Sequence, residues 1–228
     1  MTDPQVLVEL RQAYRRTRPG DQCAFAFPVN LTAQWRADLA AGAGFTIIGQ
    51  SADTPATLER QYTLTDTVGT DMRILVVGLN PSPASADAGV GFARPGNRFW
   101  PALLSAGMVS LDRNPEHALQ HHGVGMTDLV KRTTRRAAEL DPQEYRDGIA
   151  RVESLAEWLA PRLILFVGLA GWRNAVDRKA VAGWQERVMG CRPVYLMPST
   201  SGLNASSQLP DFARHLRALG LGHERDVQ

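Results

Sequence analysis

Two cysteines in 228 residues, Cys23 and Cys191, give no CxxC pair and no four-cysteine set. Neither a cysteine-ligated zinc site nor an iron–sulfur cluster can be assembled from one copy of the chain, and both thiols are expected to be reduced. Lysine is as scarce: of the 25 basic residues only Lys131 and Lys179 are lysine, so amine nucleophiles for Schiff-base chemistry are nearly missing. The formal net charge is only +2, which excludes a purely electrostatic nucleic-acid binder; any such affinity must come from local patches. There is no long apolar run. The first residues carry Asp3 and Glu9 among Arg11, Arg15 and Arg16, which suits neither a signal peptide nor a membrane span, so a cytoplasmic location and no membrane partner are expected. The histidines (His117, His121, His122, His215 and His223) lack HExxH or Cys/His ligand spacing and read as surface residues, so no metal site is expected.

What is present is an ordinary globular composition, 44% hydrophobic and 21% charged, enough for one domain with a real core. Residues 4 to about 18 read as an amphipathic helix with Val6, Leu7, Leu10 and Tyr14 on one face. Mixed sequence without a sharp motif follows, and residues 1–70 are expected to be an N-terminal extension to a main domain over 71–228. From Arg73 the pattern changes. Ile74 to Leu79, Leu163 to Gly168 and Val194 to Met197 are short continuous apolar runs, as in strands buried on both faces, and Gly123 to Leu129 is a weaker fourth. Helical candidates stand before and after the run at 163–168: Ile149, Val152, Leu155, Ala156 and Leu159 mark one, and residues 171 to 178 the other. This alternation predicts an α/β fold, three layers α/β/α around a short, mainly parallel central sheet, with a ligand beyond the carboxyl ends of the strands. Trp158, Trp172 and Trp184 are expected in or near the core.

Three motifs fall at those ends. Gly78-Leu79-Asn80-Pro81-Ser82-Pro83 follows the first buried strand; the Asn80 amide there either orients a water or closes a plain Asn-Pro turn. Gly89 to Trp100 is glycine-rich, basic and aromatic together. Phe92 in it either offers a face for an extruded base or belongs to the core, while Phe99 and Trp100 read as core residues opening a helix. Met197 to Ser207 is a small-residue loop with one apolar candidate, Leu203, either a side chain that fills the gap left in a duplex by a flipped nucleotide or part of a Ser/Gly turn. Lys131-Arg132-Thr133-Thr134-Arg135-Arg136 is the most basic cluster, read as phosphate contact or as a solvated face.

In order and spacing these motifs resemble the mismatch-specific uracil/thymine DNA glycosylases of the uracil-DNA glycosylase superfamily, from about Arg73 to Leu219. Residues 78 to 100 look like that family's G-I-N-P-G loop followed by F-A-x-P-x-N-R-F-W, Gly125 to Val130 like its G-V-T-x-L-V stretch, and Ser201-Gly202-Leu203 like the heart of its N-P-S-G-L loop. The resemblance implies a uracil-DNA glycosylase-like fold, working without cofactor, as a monomer, on duplex DNA that contains uracil or mismatches, in base-excision repair. It implies that Asn80 holds the attacking water, that Phe92 stacks on uracil, and that the backbones of Leu79 and Phe92 read the base edge. Ser85 would lie on the pocket rim. Gly202, Leu203 and Asn204 would form the wedge beside the widowed guanine. Apart from the resemblance, Lys131 and Arg132 of the basic cluster are the candidates for contact with DNA phosphates.

Two departures modify this expectation. Ser199 stands where the family loop has Asn, and Ala205 where it has Arg, so stabilisation of the leaving base would rest on backbone amides, Ser199 or Thr200, and a slow enzyme is expected. Asp87 stands seven residues after Asn80 where the family commonly carries glycine or a basic residue. It is either a carboxylate that shares or takes over the catalytic load of Asn80, steadying an oxocarbenium-like sugar or deprotonating water, or a solvated loop residue or partner of Arg94 or Arg98. The rival reading is a non-catalytic damaged-DNA or nucleotide-binding module on the same fold.

Overall fold

The structure, a computed structural model, describes residues 3–49 and 55–220. The apolar periodicity at the start forms helix α1 (Gln5–Arg16), which buries Val6, Leu7 and Leu10 and ends before Pro19-Gly20. Next come strand β1 (Gln22–Phe25), helix α2 (Ala33–Ala43) and strands β2 (Phe45–Gly49) and β3 (Ala56–Arg60). The three strands form a small antiparallel sheet in the order β1-β3-β2. Gly44 turns the chain from α2 into β2 with φ 88°, and a Cβ there would lie 2.9 Å from the Tyr14 ring, so both backbone and packing demand glycine.

The four apolar runs are strands β4 (Ile74–Gly78), β5 (Val124–Asp128), β6 (Leu163–Val167) and, beyond a two-residue β7 (Gly183–Trp184), β8 (Val194–Met197). The sheet order is β5-β4-β6-β8-β7, parallel throughout except for β7 at the edge, which is the mainly parallel sheet expected. Helices α3 (Pro83–Ala88), α4 (Phe99–Ser105), α5 (Pro115–His122), α6 (Pro142–Leu159), α7 (Ala170–Ala175) and α8 (Leu209–Arg217) connect and cover it.

Successive residues of a strand point to opposite faces, and here both faces are covered, which is why the runs are apolar without alternation. Leu75, Val77, Ile164, Phe166, Val194 and Leu196 pack with α6, α7 and the N-terminal lobe. Ile74, Val76, Leu163, Leu165, Tyr195 and Met197 pack with α4, α5 and α8. Val6, Leu10, Leu39, Phe45 and Leu58 of the lobe share one cluster with Leu75 and Val77, so the described residues ahead of 71 pack as a lobe over the first face of the sheet. Trp172 is in the core and Trp158 packs edge-on against Trp35, but Trp184 sits on the edge strand, 50% exposed against the Tyr195 ring. A lone aromatic in the sequence does not announce that its strand lies at an edge. Among the described residues no helix is long and apolar enough to cross a membrane.

Candidate active site

The carboxyl ends of β4, β5 and β6 and the loop after β8 surround a cavity of about 200 Å³, where the topology of a parallel sheet leaves room for a ligand. Gly78, Leu79 and Asn80 enter it from β4, Asp128 from β5, Val167 from β6, and Ser199 and Thr200 from β8. Ser85, Phe92 and Asn97 close it from the segment after β4.

Asn80 is held on its donor side. Its Nδ2 donates to the Arg132 carbonyl at 2.9 Å and to Thr134 Oγ1 at 2.8 Å, and Thr134 in turn donates to the Arg136 carbonyl. A carbonyl can only accept, so the amide orientation is determined and Oδ1 is left as the acceptor of this cavity-lining residue. Phe92 takes a left-handed conformation with φ 59°, uncommon for a residue with a Cβ. One ring face stacks on Phe99 at 4.0 Å and 29°, and the Trp100 indole N–H ties down the Gly91 carbonyl at 2.8 Å. The strained turn thus presents an aromatic surface supported from behind. Ser85 is buried, with its Oγ bonded to Ser82 Oγ at 3.2 Å; the capping hydroxyl of Ser82 opens α3.

Asp128, the last residue of β5, has no assigned role in the motif reading, yet it is the cavity's carboxylate. A Cβ on Gly78 would lie 2.6 Å from Asp128 Oδ1 and 3.4 Å from Phe92 Cζ, so carboxylate and ring tip meet above the bare Gly78 backbone. Burial pushes the Asp128 carboxyl up to about 6; Lys131 and Arg151 draw it down, and Asp66 adds to the rise. Beneath it lies a buried cluster. Asp66 receives Lys131 Nζ at 2.7 Å, Thr127 Oγ1 at 2.7 Å and Arg151 Nη1 at 2.9 Å, and Arg151 Nη2 also donates to the Asp128 carbonyl at 2.5 Å. A signal was available in the sequence, since a carboxylate ending a buried parallel strand sits where ligands bind.

Thr200 is buried and donates to Asn97 Oδ1 at 2.9 Å; the same oxygen accepts the Phe99 amide at 3.0 Å, which leaves Asn97 Nδ2 as a donor for the cavity. Ser199 lines the cavity beside it. Beyond, the loop exposes Leu203 at 80%, while Asn204 turns inward, its Nδ2 donating to the Ser199 carbonyl at 2.7 Å. Gly202 passes so close to Gly96 that a Cβ would lie 3.1 Å from its carbonyl oxygen. Arg98 holds the loop by donating to the carbonyls of Ser201 (2.7 Å), Asn204 (2.5 Å) and Ser207 (2.6 Å). These contacts are made from two separate guanidinium nitrogens, Nη1 to Ser207 and Nη2 to Ser201 and Asn204, and the single nitrogen of a lysine does not reproduce that fork. Arg98→Lys should therefore cost about 2–3 kcal/mol in chemical denaturation and speed proteolysis within residues 199–207.

Other residues singled out in the sequence lie elsewhere. Asp87 is exposed on α3, outside the cavity, and accepts the Tyr62 hydroxyl at 2.6 Å; Arg98 is engaged with the wedge loop. Lys131 is turned inward onto Asp66 with its side chain 11% exposed, and Arg132 makes a two-pronged pair with Glu144 at 2.8 Å on both prongs. Both cations of the basic cluster's first pair are thus engaged in holding the loop behind Asn80.

The model of the uracil DNA glycosylase superfamily matches residues 65–219, the span that carries every lining residue of the cavity except Leu64. The chain belongs to this superfamily. It is also similar to a candidate uracil DNA glycosylase from Methanosarcina acetivorans solved by NMR, at 21% identity over 71% of this chain and 98% of that one, with a TM-score of 0.49. The superfamily match begins at Thr65, ahead of the first strand of the main sheet, and so takes in Asp66 of the buried cluster.

Proposed function

We propose that the protein is a monofunctional DNA glycosylase of the mismatch-specific uracil/thymine type, hydrolysing the N-glycosidic bond of uracil flipped out of duplex DNA, above all from G·U pairs. The observation that carries this reading is the single cavity where the Phe92 face, the Asn80 amide oxygen and the Asp128 carboxylate converge beside an exposed Leu203. An extruded pyrimidine slides onto Phe92, with backbone groups of Leu79 and Phe92 and the Asn97 amide at its edge, while Leu203 occupies the vacated place in the stack. Water held between Asn80 Oδ1 and Asp128 attacks C1′ as the C1′–N1 bond breaks. The electron pair leaves with the base, whose anion is met by donors of the Asn97–Thr200 wall, and the water proton passes to Asp128. The ionised carboxylate also stabilises the cationic sugar. The products are free base and an abasic site.

The test is single-turnover excision, read by alkali cleavage, on labelled duplexes with uracil opposite guanine or adenine and on the single strand. G·U duplex should be cut fastest, and Asn80→Ala should slow it by about 10²-fold or more. Binding to G·U duplex with no abasic product from any uracil substrate would instead support the non-catalytic module.

A further inference from the structure

The N-terminal lobe reaches the cavity at one place. Leu64, four residues past the end of β3, is buried and forms part of the cavity wall. Its neighbours are held from both sides. The Tyr14 hydroxyl of α1 donates to the Thr63 carbonyl at 2.7 Å, Thr63 Oγ1 donates to the Lys131 carbonyl, and the Gln61 amide donates to the Gly44 carbonyl at 2.9 Å. Two residues ahead of Leu64, the Tyr62 hydroxyl crosses to α3, where it donates to the Asp87 carboxylate at 2.6 Å and lies 3.3 Å from the Pro83 carbonyl. Helix α3 is only six residues long and brings Ser85 into the lining of the same cavity. The segment 62–64 therefore supplies one wall itself and ties down the element that supplies another.

We infer that the N-terminal lobe sets the width of the base pocket: Leu64 is a specificity-determining wall, and the Tyr62–Asp87 bond is a latch that holds α3 and Ser85 against it. This rests on the glycosylase reading above. Asp87 acts here through α3 and is a positioning residue, with no contact to the reacting atoms. A closed latch favours uracil, the smallest pyrimidine carbonyl pattern, over the same ring bearing a 5-substituent; an open latch or a shortened wall relaxes that preference. The bond is a hydroxyl donating to an exposed carboxylate, so its loss should be felt at the scale of one hydrogen bond and not of the fold.

The experiment is a double-mutant cycle in the full chain, with Tyr62→Phe, Asp87→Ala and both together, plus Leu64→Ala. Single-turnover excision is titrated on G·U and G·T duplexes, with thermal melting as the check on folding. Each latch variant should raise the half-saturating concentration for G·U by about three- to tenfold with the limiting rate little changed, and the double variant should equal either single one. Leu64→Ala should raise the ratio of thymine to uracil excision, and the latch variants should raise it to a lesser degree. Additive effects of the two latch mutations, or thymine-to-uracil ratios unmoved in all four variants, would overturn the inference while leaving the glycosylase standing. A wild-type protein that excises neither base would overturn the glycosylase reading, and this inference with it.

Discussion

Asp128→Asn should lower the single-turnover rate of uracil excision by about 10²–10⁴-fold, the range associated with a positioned general base, while Asp87→Ala leaves the limiting rate near that of the parent. The amide keeps the size and the place above Gly78 but cannot take a proton from water or oppose a cationic sugar. The wild-type rate should climb as pH rises through about 6, where the Asp128 carboxyl ionises, and flatten above it; Asp128→Asn should show no such step. The same group has an opposite consequence for stability. Because its folded value lies above the ordinary carboxylate range, Asp128 favours the folded state only while protonated, and that contribution is lost as pH rises through about 6. At pH 7 the amide variant should therefore be the more stable protein, by about 1–3 kcal/mol, with the advantage fading below about pH 4. A variant that is both slower and more stable would mark a residue kept for chemistry at a cost in stability. A rate within a few-fold of the parent would remove Asp128 from the mechanism.

Asp66→Asn should destabilise the fold severely, costing about 3–5 kcal/mol in denaturant unfolding at pH 7. Asp66 is 6% exposed and is the shared partner of Lys131 and Arg151, themselves 11% and 7% exposed. An amide fills the same volume and leaves two buried cations facing a neutral group. Burial alone would push the Asp66 carboxyl up, but Lys131 and Arg151 outweigh it and hold it below the ordinary carboxylate range. Its stabilisation is therefore present above the unfolded-state value and is lost as pH falls through the lowered folded one. Parent and variant should converge in acid. A difference that persists unchanged to the most acid pH at which the parent folds would show that charge pairing is not the cause. The cluster also bonds the Asp128 carbonyl, so the variant should disturb excision beyond its loss of folded protein.

The strands of the main sheet are legible in the sequence because the physics that forms them is local in the chain. A parallel sheet covered on both faces needs uninterrupted apolar runs, and Ile74 to Val77, Leu163 to Val167 and Val194 to Met197 supply them. The loop residues Asn80, Ser85, Phe92, Ser199 and Thr200 were legible through motif order, and all five line one cavity. Short edge strand β7 and the three strands of the N-terminal lobe were not, since strands of two to five residues without a buried face on both sides leave no lasting period.

What the sequence by itself determined was the α/β class, the parallel order of strand and helix, and the identity of the loops at the carboxyl ends, because each depends on residues adjacent in the chain. Only the tertiary structure decided which charges do what. Asp87 and Asp128 are equally acidic on paper, yet one is solvated and latched to Tyr62 while the other is buried against Gly78 with its proton affinity raised. Lys131 stands in the most basic stretch of the chain and is nonetheless turned inward, onto an aspartate 65 residues earlier. Burial and pairing across such separations set the protonation and reach of a charged group, and these are properties of the folded neighbourhood that no local pattern encodes.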